Sequence, residues 1–493
     1  MVIIGILLSL FLSALESTVV ATAMPTIVSS LGGVSIYSWV FSGYLLSSTV
    51  TMPLWGRLSD LHGRRPLFLI GVFIFMLGSA FCGMSQSMRQ LIFFRFLQGL
   101  GAGAVMPLTF TIIGHIFSLE QRAKMQGFFS GVWGVASVIG PLVGGTLADH
   151  LSWRWVFYIN IPFSLLSMFL IYRGLEEEKL NSTQNGSLDL IGTLTFACAI
   201  LCLLGGLSIF SRYGWVGTIL FLLSGLLIFL YIRTENRAEH PILPLKLFKI
   251  RIFSAAQSAG LFSGMAMFGT LSFIPLYMQS VLGATATEAG RILLPFMLSW
   301  VVFSILGSRL LLKFGYRGLV LTGNALLVCG FALMAFHQGR IPVFLMAVSM
   351  VLEGAGMGFN MAPFLIAVQN AVPKNLMGAA TSSTQFVRTV GGAIGVSIMG
   401  TALSRYLQVQ SRLLLQDPSI QTQVVGKILE HPDQIIHPQM NISLSPELLL
   451  QAQTHMAAGL KNVFILGMVF SVLSFLACLN VPKGSAHSHV WKT

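Results

Sequence analysis

The chain has 493 residues, 55% of them hydrophobic and 9% charged, where a soluble protein of this length carries roughly a quarter charged residues. That composition excludes a string of soluble domains, and the lack of ten-residue alternating segments excludes a porin-like barrel. The net charge of +13 follows a positive-inside pattern, collected on one side of the apolar runs, which accounts for it without nucleic acid as a partner.

A spanning helix needs about 20 mostly apolar residues, and fourteen stretches qualify: 2–24, 38–55, 66–84, 88–112, 127–148, 156–175, 190–210, 216–232, 253–281, 287–312, 318–336, 341–371, 378–403 and 462–481. The first opens without a basic flank and is interrupted by Glu16, so it reads as a permanent helix rather than a cleaved leader. With the N-terminus on the cytoplasmic side, most of the Lys and Arg residues fall on that face and few lie in the short loops of the other. This bias orients a multi-pass chain in the cell (inner) membrane with both termini cytoplasmic, and it suits contact with anionic membrane lipids.

Four ionisable residues sit inside these apolar runs: Glu16, Arg95, Glu353 and Arg388. Each costs about 2.5–3.5 kcal/mol at the centre of a bilayer on insertion scales, and such residues usually mark an ion or substrate path. Glu16 and Arg95 fall at similar depth and can meet. A carboxyl poised between a nearby cation and burial can load and lose a proton; a static ion pair is the structural alternative. Glu353 reads as a second proton site, an attractor of cations or a packing acid. Arg388 has Glu353, Glu16 or a lipid headgroup as candidate partners. Cys82, Cys198, Cys202, Cys329 and Cys478 all lie in apolar runs and read as small packing residues.

The stretch Leu97 to Met106 recurs as Leu352 to Met361 with half its positions identical, and Gly56 to Arg65 is echoed more faintly by Gly307 to Arg317, without the acid. Parallel repeats of this kind build transporters from two homologous halves. The expected organisation is an N-terminal six-helix lobe at 1–175, two inserted helices at 190–232, a C-terminal six-helix lobe at 253–481 and a short cytoplasmic tail at 482–493. Within the second lobe, 404–461 is expected as an outer loop with short amphipathic surface helices at 408–416, 421–429 and 446–456.

Between the second and third stretches, Gly56 to Arg65 (with Asp60, Gly63, Arg64 and Arg65) resembles the signature loop of the major facilitator superfamily. The fourth stretch, Leu91 to Gly101 around Arg95, is similar to that family's second motif. The fifth resembles its antiporter motif through Gly127, Gly140, Pro141, Gly144 and Gly145, with Ala136 where the pattern has glycine. Leu15 to Pro25 and Trp153 to Pro162 look like motifs of the fourteen-helix drug:proton antiporter branch, with Glu16 where aspartate is commoner.

The resemblance implies an all-α major facilitator fold. It implies a cytoplasmic gate in which Asp60 faces the helix beginning near Gly378, Thr381 and Ser382, with Glu120 a partner for Arg64. It also implies export driven by the proton gradient without a cofactor, and transport rather than enzymatic chemistry. The substrate expected is a lipophilic, cationic small molecule, contacted by Gln257, Phe268, Tyr277, Gln279 and Asn360, with a periplasmic adaptor admitted as a protein partner. Export of a lipid, glycolipid or siderophore is the alternative, and a membrane receptor a more distant one.

Overall fold

The computed structural model describes residues 1–32, 36, 39–176, 189–210, 214–238, 241–416, 425 and 446–483. Every regular element among them is helical, as expected where lipid offers backbone groups no partner and a helix satisfies them internally. The long helices are α1 (Val2–Leu31), α2 (Trp39–His62), α3 (Arg64–Met84), α4 (Met88–Ile116) and α5 (Leu119–His150). A four-residue turn, α6 (Trp155–Tyr158), leads into α7 (Asn160–Gly174), followed by α8 (Leu190–Ile209) and α9 (Gly214–Glu235). Then come α10 (Arg251–Ser280), the short α11 (Ala286–Arg291), α12 (Leu294–Ala335), α13 (Val343–Ala371), α14 (Met377–Leu415) and α15 (Pro446–Cys478). Among the described residues, 11 helical segments are long and apolar enough to cross a membrane.

Two expectations about boundaries are corrected. The stretch Gly56 to Arg65 is not a loop: α2 continues to His62, and the turn is confined to Gly63, whose φ of 91° is open to glycine alone without strain. The segment 404–461 is helical at both ends, because α14 runs on to Leu415 and α15 already starts at Pro446. Helix-forming Leu, Gln and Arg carry α14 past the membrane stretch until Pro418 forbids continuation, and proline is tolerated at the first turn of α15. The runs 408–416 and 446–456 are therefore ends of long helices rather than separate surface helices. The run 421–429, apart from Val425, lies outside the described residues, as does most of the tail.

The contacts group the chain into two compact units, Met1–Gln257 with Phe364–Val387, and Ser258–Pro363 with Arg388–Lys483. In the first, α4 packs on α2 and α3, α1 on α5 and α7, and α8 on α9. Its core gathers Leu10, Phe68, Val72, Leu108 and Phe110 toward one end and Val19, Val20, Ile27 and Phe157 toward the other. In the second, α12 packs on α15, around Ile274, Phe296, Phe331, Met350 and Phe464.

The internal repeat is visible in the packing. In the first unit, a side chain at Gly101 of α4 would collide with the backbone of Gly71 and Phe75 on α3; in the second, Gly356 of α13 meets the backbone of Gly323 and Leu327 in the same way. Gly63 and Gly315 take matching left-handed turns, the latter breaking α12 into two helices.

Candidate functional site

Glu16 lies midway along α1 and is 1% exposed; Arg95, in the second turn of α4, is 2% exposed. The structure brings them together as a buried ion pair through Arg95 Nη1 and Glu16 Oε1. The same Nη1 donates to Gln98 Oε1 at 2.8 Å, and Arg95 Nε donates to the Val40 carbonyl at 3.2 Å. The guanidinium also lies 4.1 Å over the centre of the Tyr44 ring, a cation–π contact that gains strength away from water.

The second carboxylate oxygen accepts from Asn160 Nδ2 at 2.5 Å, and Asn160 also donates to Ser79 Oγ at 2.9 Å. Both Glu16 oxygens therefore face N–H donors, the arrangement that suits an ionised carboxylate. Gln98 has room because α3 presents Gly78 beneath it.

Asn160, Gln98, Tyr44 and Ser79 were not assigned roles from sequence. Gln98 and Asn160 fall inside the motifs that carried the family resemblance. The only further signal was that a polar residue between Ile159 and Ile161 starts α7.

A second constellation sits where α2 ends. Asp60 is buried, and its two oxygens accept from the backbone N–H groups of Gly378 and Ala379, each at 2.9 Å. These are among the first amides of α14, which have no partner within the helix, and the helix dipole favours an anion there. The approach is close: a side chain at Gly56 would collide with Ser382 and the Gly378 carbonyl.

Arg64 lies 3.8 Å from Asp60 and reaches His115 Nε2 at 2.6 Å and the Lys374 carbonyl at 3.4 Å. Arg65 stacks on Tyr172. Glu120 is exposed and accepts from Ser118 Oγ at 2.9 Å, so Arg64 finds its partners elsewhere. From α5, Arg122 reaches α13, donating to Asn370 Oδ1 at 2.8 Å, and it also donates to the Phe117 carbonyl at 2.9 Å.

The antiporter-motif residues of α5 lie against α1. Gly140 admits Thr18 and Gly144 admits Thr22 and the Val19 carbonyl, while Gly145 faces open space. The side chain of Pro141 and the surroundings of Gly127 lie outside what is described.

In the second unit, Glu353 is fully buried and its oxygens face hydroxyls, Thr270 on Oε2 and Ser349 at 3.2 Å from Oε1, rather than Arg388. Arg388 is half-buried on α14, with its backbone against Gly264 of α10.

The residues suggested for substrate are divided between the two units. Gln257 belongs to the first unit and donates to Thr384 at 3.3 Å. In the second, the Tyr277 hydroxyl accepts from Ile341 N at 2.7 Å, and Asn360 donates to Asn324 at 3.3 Å. Phe268 packs over Gly392, and Gln279 is half-buried.

Spanning-length helices built as a repeat, with a buried ion pair and a carboxylate seated on a helix N-terminus, define a helical membrane transporter. The comparisons place it more narrowly. The sequence profile of the Major Facilitator Superfamily matches residues 6–396, and the chain belongs to that family: it is a multi-pass membrane protein and a transporter, not an enzyme.

The chain is similar to "Multidrug transporter protein MdtP" of Bacillus subtilis (strain 168), 35% identical with 95% of this chain and 90% of that protein covered. It is also similar to "Multidrug resistance protein 3" of the same organism, 34% identical with 98% and 95% covered. Among solved structures, the human organic anion transporter MFSD10 (TETRAN) matches with a TM-score of 0.62 at 15% identity, covering 95% of this chain and 98% of that one. The proton:xylose symporter XylE matches with a TM-score of 0.60 at 14% identity, covering 96% and 94%. At such identities the likeness concerns the fold alone.

Proposed function

We propose that this chain is a proton-coupled multidrug exporter of the fourteen-helix drug:proton antiporter branch, carrying lipophilic cations out of the cytoplasm by alternating access. In this reading α2, α5 and α8, more polar or shorter than the rest, span as well and complete fourteen crossings. Two six-helix lobes and the inserted pair α8–α9 lie in the inner membrane, with both termini cytoplasmic. The names carried by the Bacillus subtilis relatives support drugs as the cargo.

The observation that carries proton coupling is the water-excluded Glu16 held by Arg95 and Asn160. A proton arriving on Glu16 cancels the charge that Arg95 faces and removes the best acceptor from both donors. The pair then loosens, and α1, which meets α5 through Gly140 and Gly144, is free to shift against its neighbours. Release of the proton on the cytoplasmic side restores the pair. One proton entering for one monovalent cation leaving moves no net charge, so the pH gradient drives that exchange, and the membrane potential adds about 2.3 kcal/mol per 100 mV for each further proton. Asp60 seated on α14 closes the cytoplasmic end while the other face is open, and Arg388 adds a cation to the second lobe. Gln257, Phe268, Tyr277, Gln279 and Asn360 contribute adaptable contacts to the cargo.

The test is reconstitution into liposomes with an imposed pH gradient and a pH dye inside, challenged with lipophilic cations. Wild-type protein is expected to move protons when a cation is added, and Glu16→Gln protein to bind the cation without moving protons. Undiminished coupling in Glu16→Gln liposomes would overturn the assignment.

A further inference from the structure

Glu353 is a fully buried acid with a different set of neighbours from Glu16, and the difference lies in who can donate. Glu16 faces N–H groups, which have hydrogens to give and cannot accept one. Glu353 faces two hydroxyls, which can do either, and among the described residues no Lys or Arg forms an ion pair with it.

Ser349 decides the count. Its hydroxyl carries one hydrogen, and two oxygens lie within reach: the Gly330 carbonyl at 2.5 Å and Glu353 Oε1 at 3.2 Å. Hydroxyl hydrogen bonds run from about 2.5 to 3.0 Å, so of the two contacts the one to the Gly330 carbonyl is the better made. The Ser349 hydroxyl donates to the Gly330 carbonyl. The 3.2 Å contact from Ser349 to Glu353 Oε1 is then a weak one, and a carboxyl group this deeply buried with no cation paired to it among the described residues is favoured as the neutral acid, which can turn its own hydrogen to Ser349 Oγ. Thr270 donates to the other oxygen, Oε2, as a neutral carboxyl group still allows.

The place of this acid in the repeat gives it a second support. Glu353 of α13 stands at the repeat position of Gln98 of α4, and each is seated over a glycine of the neighbouring helix, Gly330 and Gly78. In the first unit the acid is on α1 and the amide on α4. In the second the acid is on α13 and faces the hydroxyl of Thr270 on α10.

We propose that Glu353 is a second proton-binding site, occupied in the conformation in which Glu16 is ionised, with Ser349 as the hydroxyl that accommodates its loading and unloading. On release the Glu353 O–H bond breaks and the proton passes to water. The Ser349 hydrogen turns from the Gly330 carbonyl to Oε1, leaving a carboxylate that accepts from Ser349 and Thr270. The Gly330 carbonyl keeps its acceptor role within its own helix. Loading reverses each step. The exchange of this proton during transport rests on the proton-coupled reading above; its presence on Glu353 does not.

Infrared spectroscopy of the protein in liposomes tests the site directly, because the carbonyl stretch of a protonated carboxyl is separate from carboxylate bands. The expected result is a protonated-carboxyl band at neutral pH that persists in Glu16→Gln and is lost in Glu353→Gln. The band should shift in Ser349→Ala and in Thr270→Val, which each remove one hydrogen-bond partner; these variants keep the test decisive if Glu353→Gln fails to fold. A spectrum unchanged by Glu353→Gln, or by both hydroxyl substitutions, would overturn the assignment. If the band belongs to Glu353 while Glu16→Gln still couples transport to protons, the second site stands and the Glu16 reading falls. If Glu16→Gln uncouples transport and Glu353→Gln leaves the spectrum unchanged, the reverse holds.

Discussion

The charges inside this protein are kept by neighbours that differ in what they can give. Arg95 combines an acid, an amide oxygen, a backbone carbonyl and an aromatic face. Truncating one member of a buried pair leaves the other charge without compensation, at a cost of about 3–5 kcal/mol, whereas replacing both by neutral groups of similar size is often close to neutral. Arg95→Met should therefore lower the melting temperature of the detergent-solubilised protein strongly, and Glu16→Gln combined with Arg95→Met should recover most of that loss without recovering proton coupling. A double variant no more stable than Arg95→Met alone would show that the pair is not what holds α1 to α4. Asn160→Ala removes the donor to Glu16 Oε2 and to Ser79. One hydrogen bond to a charged group is worth about 1.5–3 kcal/mol, so its loss should be readable in the same melting experiment. The four ionisable residues inside the helices were legible in the sequence because each interrupts an apolar run. Asn160 was not, since an uncharged amide at the start of a helix has many uses and only the packing of α7 on α1 selects one.

At the scale of elements, the contact between the end of α2 and the start of α14 is set by backbone geometry as much as by charge. Asp60 can satisfy two amides at once because a carboxylate offers two acceptor oxygens, and Gly56 lets the helices close to the distance this needs. Asparagine in place of Asp60 offers one acceptor and turns its NH2 group toward the second amide. With a charge-assisted bond lost at about 1.5–3 kcal/mol and tenfold in population per 1.4 kcal/mol, the closed contact should open by about tenfold or more. A cysteine placed at the buried Thr381, in a background without the five native cysteines, should then react faster with a small maleimide in Asp60→Asn protein. Gly56→Ala should raise that rate as well, because its methyl group meets Ser382 and the Gly378 carbonyl. Unchanged reactivity in both would mean that this contact does not govern access. The pairing of Asp60 with Gly378 was legible because the motif fixes both the acid and the helix it faces. The partner of Arg64 was not: charge alone favoured Glu120, but the surface turn that Ser118 caps holds Glu120 in an exposed position, and Arg64 meets His115.

Over the whole molecule, most helices were legible from the length of their apolar runs, and their ends were not. Apolarity reports where lipid stops, while a helix stops where its backbone must, at Gly63 and shortly before Pro418. The same distinction bears on the number of crossings, and α8–α9 decides it. These two helices pack chiefly on each other, with Ser224 donating to the Ala199 carbonyl at 2.8 Å. Their ties to the rest of the first unit are fewer: the Phe196 ring 5.2 Å from Phe386, and Glu235 accepting from Leu243 N at 2.6 Å. Leu222, Leu226 and Phe229 of α9 are exposed, as suits a helix that faces lipid on that side. If both helices cross, their removal takes away two crossings and leaves every later helix in its original direction. Replacing 190–235 by a short polar linker should therefore keep tags at the two termini on the same side in inside-out vesicles. The protein should also lose modest stability, since an aromatic pair such as Phe196–Phe386 contributes about 0.5–1.5 kcal/mol beyond its burial. If only one of the two crosses, the intact protein has an odd number of crossings and carries its termini on opposite faces, and the deletion brings the tags together by inverting α10 to α15. Termini on opposite faces of the intact protein that come together after the deletion would thus overturn the fourteen-crossing reading, while leaving the Asp60 and Glu16 constellations, which involve neither helix, as they stand.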